Sequence, residues 1–315
     1  MNVKIDYLSE AFPHTVTNGT ATLDTNMGSI LWAALTVGRP NLIQVRAHGA
    51  SSLYESLFRL AVIRMTLERG KNNRLQRTKA FEALDPTEKG MMTYFMGMTM
   101  CKLFAHDLLD TPWLLHLDVY NKMHGAHWVG HSRPDLFGDD AKGRWHGFEC
   151  KGRSVSPTKD VKAQAKAQAQ KLLTVGGAQC DLHIGTIAYF TPAGRLRFFW
   201  RDPSPDPEDR IDLPEPGDEW RYHYLPAISL AETSLRSDFG AELELADVTV
   251  EIHPEMRNLL AEARWQEARS AARKLGEEFS KNGFMRDGLK VIAGDSWAKP
   301  FDQMDRRLDR GREEA

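Results

Sequence analysis

Asp135, Glu149 and Lys151 are the residues of this chain whose types and spacing could do chemistry. Asp135 follows Pro134 within Ser132–Gly138 and opens a short apolar run. Thirteen residues separate it from Glu149, and Lys151 stands two further on, within Trp145–Gly152. In an extended segment a two-residue step returns to the same face, so Glu149 and Lys151 would project together. Two carboxylates can hold a hard divalent cation, and a neighbouring lysine can orient or help deprotonate an attacking water. That is the minimum equipment for metal-dependent hydrolysis of a phosphodiester. The flanking Trp145, Phe148 and Cys150 place Glu149 in a strand whose surroundings are buried.

The order Pro-Asp, thirteen residues, Glu-x-Lys resembles the PD-(D/E)xK nuclease superfamily, to which many restriction endonucleases, Holliday-junction resolvases and recombination exonucleases belong. The resemblance extends over about 90 residues, from Leu114 to Trp200. It implies an α/β fold with a restriction-endonuclease-like core of order αβββαββ, a mixed sheet flanked by helices, and a metal site where the second and third strands diverge. It also implies Mg²⁺ or Mn²⁺ as cofactor and DNA as substrate. Asp135, Glu149 and the backbone carbonyl of Cys150 would hold the cation, while Lys151 positions the water. A glutamine on the following helix faces the site in recombination-type members, and Gln168 is taken as its counterpart, with Gln164 the other choice. The tyrosine that often follows four residues later is absent, since Gln168 and Leu172 stand at those positions. A restriction or defence role accords with the breadth of that superfamily. The competing class is a non-catalytic nucleic-acid-binding or assembly subunit that keeps the fold.

Composition sets the frame for these residues. The chain has 315 residues, 42% hydrophobic and 27% charged, enough for one large domain and an appendage. No apolar run approaches the length of a membrane span and no secretory leader pattern is present, so a cytoplasmic protein is expected. Cys101, Cys150 and Cys180 are too few and too scattered for a disulfide framework or a four-cysteine metal site. Phosphate-cradling glycine loops, dinucleotide turns and serine-hydrolase elbows are also missing. The net charge is only −2, yet Lys142 to Lys171 holds eight basic residues against two acids, a local charge of +6 around the candidate site. Such a stripe would meet a phosphate backbone.

The elements that must position the site can be read from caps and periodicity. Ser52 and Glu55 form a capping-box pattern opening a helix through Leu67 to Gly70. Asp85, Pro86 and Glu88 open another that is apolar nearly all round from Met91 to Leu109, its methionines serving as core filler. Glu88 is explained as a cap rather than a ligand. Leu114–Tyr120 reads as a strand, followed by the two motif strands. Thr158 caps a helix through Val161, Ala165, Ala169 and Leu172, an arc of about 80° at 100° per residue, ending at Gly176–Gly177. Leu182–Phe190 and Leu196–Trp200 supply two more strands.

His124, His127 and His131 could bind zinc, but the intervening Gly125, Trp128 and Gly130 describe a turn feeding a strand, so substrate contact or packing is the favoured role. Residues 1–202 are read as the nuclease domain and 203–315 as an acidic, proline-punctuated loop with a helical extension. In that extension a helix from about Glu255 to Ser280 carries a narrow seam of Ala261, Trp265, Ala268, Ala272, Leu275 and Phe279. The seam could cover the chain's own core, the commoner outcome, or make a homodimer or larger complex.

Overall fold

The structure is a computed structural model of the chain and describes residues 1–13, 16–37, 51–124, 133–202, 211–233 and 245–299. In chain order the main elements are β1 (Asn2–Glu10), β2 (Gly19–Asn26), α1 (Met27–Thr36), α2 (Ser51–Thr66), β3 (Leu67–Arg69), β4 (Leu75–Arg77), α3 (Lys79–Ala83) and α4 (Pro86–Leu109). Then come β5 (Leu115–His116), α5 (Leu117–His124), β6 (Leu136–Asp139), β7 (Trp145–Arg153), α6 (Lys159–Ala169), β8 (Leu172–Val175), β9 (Ala178–Phe190) and β10 (Leu196–Arg201). The last are β11 (Ile211–Leu213), α7 (Arg221–Thr233), β12 (Val248–Ile252), α8 (Pro254–Ala261), α9 (Trp265–Lys281) and β13 (Leu289–Ala293).

Among the described residues a nine-stranded sheet runs in the order β2-β1-β10-β9-β7-β6-β5, with β8 and β11 branching from β9. The sheet is mixed: β6–β7 and β9–β10 are antiparallel, whereas β7–β9 and β1–β10 are parallel. The fold is thus α/β, with helices on both faces. The parallel β7–β9 step requires a crossover, and α6 provides it. Ala165 and Ala169 of α6 are buried, and a Cβ on Gly185 of β9 would come within 2.9 Å of the Ala165 backbone, so small residues let this helix lie close on the sheet.

On the other face α4 packs equally tightly. A Cβ on Gly97 would sit 2.8 Å from the Gly152 nitrogen, and one on Gly152 would overlap the Thr93 carbonyl oxygen. Farther along, Phe104 stacks on Phe198 of β10 at 4.0 Å. The α4 cap forms as its residues dictate: Asp85 Oδ1 accepts from the Thr87 nitrogen at 2.6 Å, and the Asp85 nitrogen donates to Glu88 Oε2 at 3.1 Å. Met92, Met96, Met98 and Met100 are buried.

A second helical layer covers α4. One hydrophobic cluster draws residues from both sides of position 202, including Trp32, Phe104, Phe148, Trp265, Phe279 and Val291. A fully buried polar network binds the same region. Asp287 accepts from Trp32 Nε1 at 2.8 Å and pairs with His223 Nε2 at 2.6 Å, while Lys102 Nζ stands 3.2 Å from His223 Nδ1 and reaches the Pro112 carbonyl. These hydrogen bonds offset part of the cost of burying polar groups, while desolvation lowers the Lys102 amine to about 7.

Several sequence expectations change. The helix from Ser51 stops at Thr66, because Leu67 joins the β3–β4 ladder. The strand expected over Leu114–Tyr120 shortens to two residues and turns into α5. Asp118 in the first turn of α5 suits the helix dipole, and Arg133 holds its carboxylate. Leu172 leaves the α6 helix for β8, where β-branched Thr174 and Val175 pair with β9 across Gly176–Gly177, both at positive φ. Ile211–Leu213, within the expected acidic and proline-rich loop, is strand β11 beside β8. The helix expected from Glu255 to Ser280 is two helices, broken at Ala263, whose φ is 57°. Its seam lies inside the molecule: Trp265, Ala268, Ala272 and Phe279 are buried in the chain's own core, Leu275 is half-buried against it, and Ala261 is exposed. The seam is therefore not available as an interface. Among the described residues no helix is long and apolar enough to cross a membrane.

Candidate active site

Pro134 shapes the site. It has no N–H, so the β6–β7 ladder cannot continue past Asp135, whose own nitrogen donates to the Phe148 carbonyl at 2.9 Å. Cys150, the next outward-pointing position on that edge of β7, instead donates its N–H to Asp135 Oδ2 at 2.8 Å. In a strand the N–H and C=O of one residue point to the same edge, so the Cys150 carbonyl is on the Asp135 side. The Cys150 thiol goes the other way. Desolvation, and then Cys101 of α4 beside it, push it well above its usual range, so only its backbone could contact a cation.

Strand alternation brings Glu149 and Lys151 to one face. Lys151 Nζ donates to Glu149 Oε1 at 2.6 Å and to Gln168 Oε1 at 2.6 Å. Gln168, reached across from α6, therefore belongs to the same cluster, while Gln164 is exposed. Glu149 is only 3% exposed, and its backbone carbonyl is fixed by Thr186 Oγ1 at 2.9 Å. Its Oε2 is buried and receives no hydrogen bond from the protein. The Glu149 and Asp135 carboxyls interact directly, and a pair of acceptors at this separation is satisfied by a shared proton, a bridging water or a cation. Desolvation, then the Asp135 charge, hold the Glu149 carboxyl up at about 8. Asp135 is raised as well, chiefly by burial, with the Cys150 N–H and Lys151 opposing.

This orphaned oxygen is the observation that fits a metal. Both ionised carboxylates and the Cys150 carbonyl are hard oxygen donors of the kind Mg²⁺ and Mn²⁺ prefer. The protein's share of the coordination would be these two carboxylates and this carbonyl.

The carboxylates open into a cleft of about 440 Å³ lined by Gly90, Thr93 and Tyr94 of α4, by Arg153 at the end of β7 and by Ser154 just after it. Tyr94 and the Arg133–Asp118 pair are site neighbours that sequence reasoning missed. The Tyr94 hydroxyl is pushed up to about 12 by burial and then by Asp135, and Arg133 stands in the field of Asp135 and Glu149. Arg133 could have been suspected from its place just before Pro134; nothing in the sequence sets Tyr94 apart.

The basic stripe is only partly available to a ligand. Arg144 is held by Asp140 at 2.7 Å and Asp181 at 3.2 Å, at the end of β7 far from Glu149. Lys162 lies 3.9 Å over the Phe199 ring, and Lys159 is exposed. Glu88 is occupied as a cap. His124 Nε2 pairs with Glu219 at 2.9 Å and its ring stacks on Tyr120, while His127 and His131 lie outside the described residues. Compared with protein-family models, curated proteins and solved structures, the chain matches none.

Proposed function

We propose that this chain is a divalent-metal-dependent deoxyribonuclease with a restriction-endonuclease-like core. The order α4, β5, β6, β7, α6, β9, β10, with α5 inserted after β5 and β8 before β9, and with β9 parallel to β7, supports the core. The observation that carries the function is the buried Oε2 of Glu149, which has no protein donor, in a carboxyl that interacts with Asp135 beside a lysine held by Glu149 and Gln168.

A bound Mg²⁺ or Mn²⁺ would lower the pKa of a coordinated water and neutralise charge on the scissile phosphate. The protein's residues do the rest. Asp135, fixed by the Cys150 N–H, and Glu149, fixed through its backbone by Thr186, present their carboxylates without reorganisation. Lys151 is a donor only, with an ammonium that can orient the nucleophile and stabilise developing negative charge. Gln168 accepts from Lys151 and so aims it. Restriction or defence is the biological setting in which such an activity would serve.

The test is cleavage of linear, circular and single-stranded DNA by wild type and by Asp135→Ala, Glu149→Ala and Lys151→Ala. Each variant should lose most activity, and Lys151→Ala should still bind metal. Full activity in any of them, with contamination excluded, would overturn the assignment. A folded protein that binds DNA yet never cuts it would instead be a non-catalytic subunit.

A further inference from the structure

We infer that the substrate strand at this site carries unpaired bases, which stack on an aromatic ledge beside the two carboxylates; the inference rests on the nuclease reading above. The ledge is built from α2 and α4. Tyr54 is 52% exposed, Phe58 38%, Met91 45% and Tyr94 39%. They are not scattered. Phe95 joins them, meeting Phe58 edge-on at 5.3 Å and Tyr94 at 5.3 Å, with the Arg59 guanidinium 5.3 Å over its ring. Tyr54 precedes Phe58 by one helical turn, and Met91 precedes Phe95 by another, so both lie on the same faces of their helices. At one end the ledge enters the cleft, where Tyr94 shares the lining with Asp135, Glu149, Lys151 and Arg153.

A contiguous set of large apolar side chains left in water marks an interaction surface. What it suits is set by its place. A chain whose phosphate sits at Glu149 and Lys151 must lay its next nucleotides within reach of Tyr94. In a duplex those bases are already stacked on one another and offer a protein their edges and phosphates. Only an unpaired base has a free face for an aromatic ring, and such stacking tolerates any sequence. A cation for an accompanying phosphate is close by in Arg153 of the cleft, whereas Arg59 is buried under the ledge and paired with Glu55.

The test uses full-length protein carrying Lys151→Ala, so that DNA is bound in Mg²⁺ without being cut. A short single strand containing 2-aminopurine is compared with the matching blunt duplex. Binding of the single strand should quench the probe. Adding Phe58→Ser or Tyr94→Ser should relieve the quench and weaken single-strand binding roughly 5- to 100-fold, the range for removing one base–aromatic stack. Duplex affinity should stay within about twofold, and Tyr94→Phe should behave as Tyr94. Equal losses for both DNAs, or no loss for either, would overturn the inference. So would a change of oligomeric state by light scattering with single-strand affinity intact, which would make the ledge a contact between copies of the chain. Cleavage by the protein with Lys151 intact, run in parallel, separates the two claims: absence of cutting defeats the nuclease reading, whereas the quench decides the ledge.

Discussion

Metal binding at Asp135 and Glu149 must expel a proton, and the size of the effect can be worked from the site. With the Glu149 carboxyl held at about 8, roughly one molecule in ten at pH 7 has lost the proton that the carboxylate pair shares. A cation needs both carboxylates ionised. Apparent affinity for Mn²⁺ or Mg²⁺ should therefore rise about tenfold from pH 6 to 7, about fivefold from pH 7 to 8, and little above pH 9. At pH 7 close to one proton should leave per cation bound, measurable by titration calorimetry in buffers of different ionisation enthalpy. The sign for stability follows from the same shift. The folded carboxyl lies above its ordinary value of 4.5, so the fold favours the protonated form. Metal-free protein should lose stability as pH climbs from about 4.5 to about 8, and the cation should restore it. Glu149→Gln should remove Glu149's share of that decline. Affinity independent of pH between 6 and 8, with no proton release, would refute the reasoning, because Glu149 would then be ionised before the metal arrives.

Three further outcomes are expected. Gly152→Ala drives a methyl into the Thr93 carbonyl and should cost about 3 kcal/mol or more by thermal denaturation, whereas Gly90→Ala, with open space around it in the same helix, should gain about 0.5–1 kcal/mol. Lys159→Gln with Lys166→Gln should reduce the slope of log affinity for DNA against log salt by about 0.9 for each phosphate that a lysine no longer neutralises, without altering the fold. Phe279→Asp should unfold the chain or cost roughly 3–5 kcal/mol, since the ring is fully buried; a folded variant with changed oligomeric state would contradict the internal placement of that helix face.

Much of the site was legible because its geometry is local. Strand alternation alone places Glu149 with Lys151, Pro134 ends the ladder by lacking an N–H, and the caps at Asp85 and Thr158 set the starts of α4 and α6. The helical period put Gln164 and Gln168 on one margin of α6, and only the family resemblance suggested that one of them faces the site. The rest depends on tertiary context. Leu172 keeps helical phase with Ala165 and Ala169, yet the β9 edge claims it for a hairpin. Leu117 satisfies burial as well in a helix as in a strand. The break at Ala263 has no Pro or Gly to announce it. Tyr94 becomes a site residue only because Gly97 and Gly152 bring α4 against β7, and the buried contact of Lys102 with His223, which in turn pairs with Asp287, spans separations no periodic reading reaches.

The central claim is tested most directly by a time course of DNA cleavage in Mg²⁺, in Mn²⁺ and in EDTA, with wild type and Glu149→Gln purified identically. Wild type is expected to cut in at least one of the two metals and not in EDTA, and Glu149→Gln is expected not to cut in any condition. Cutting in EDTA, or equal cutting by both proteins, would contradict the claim.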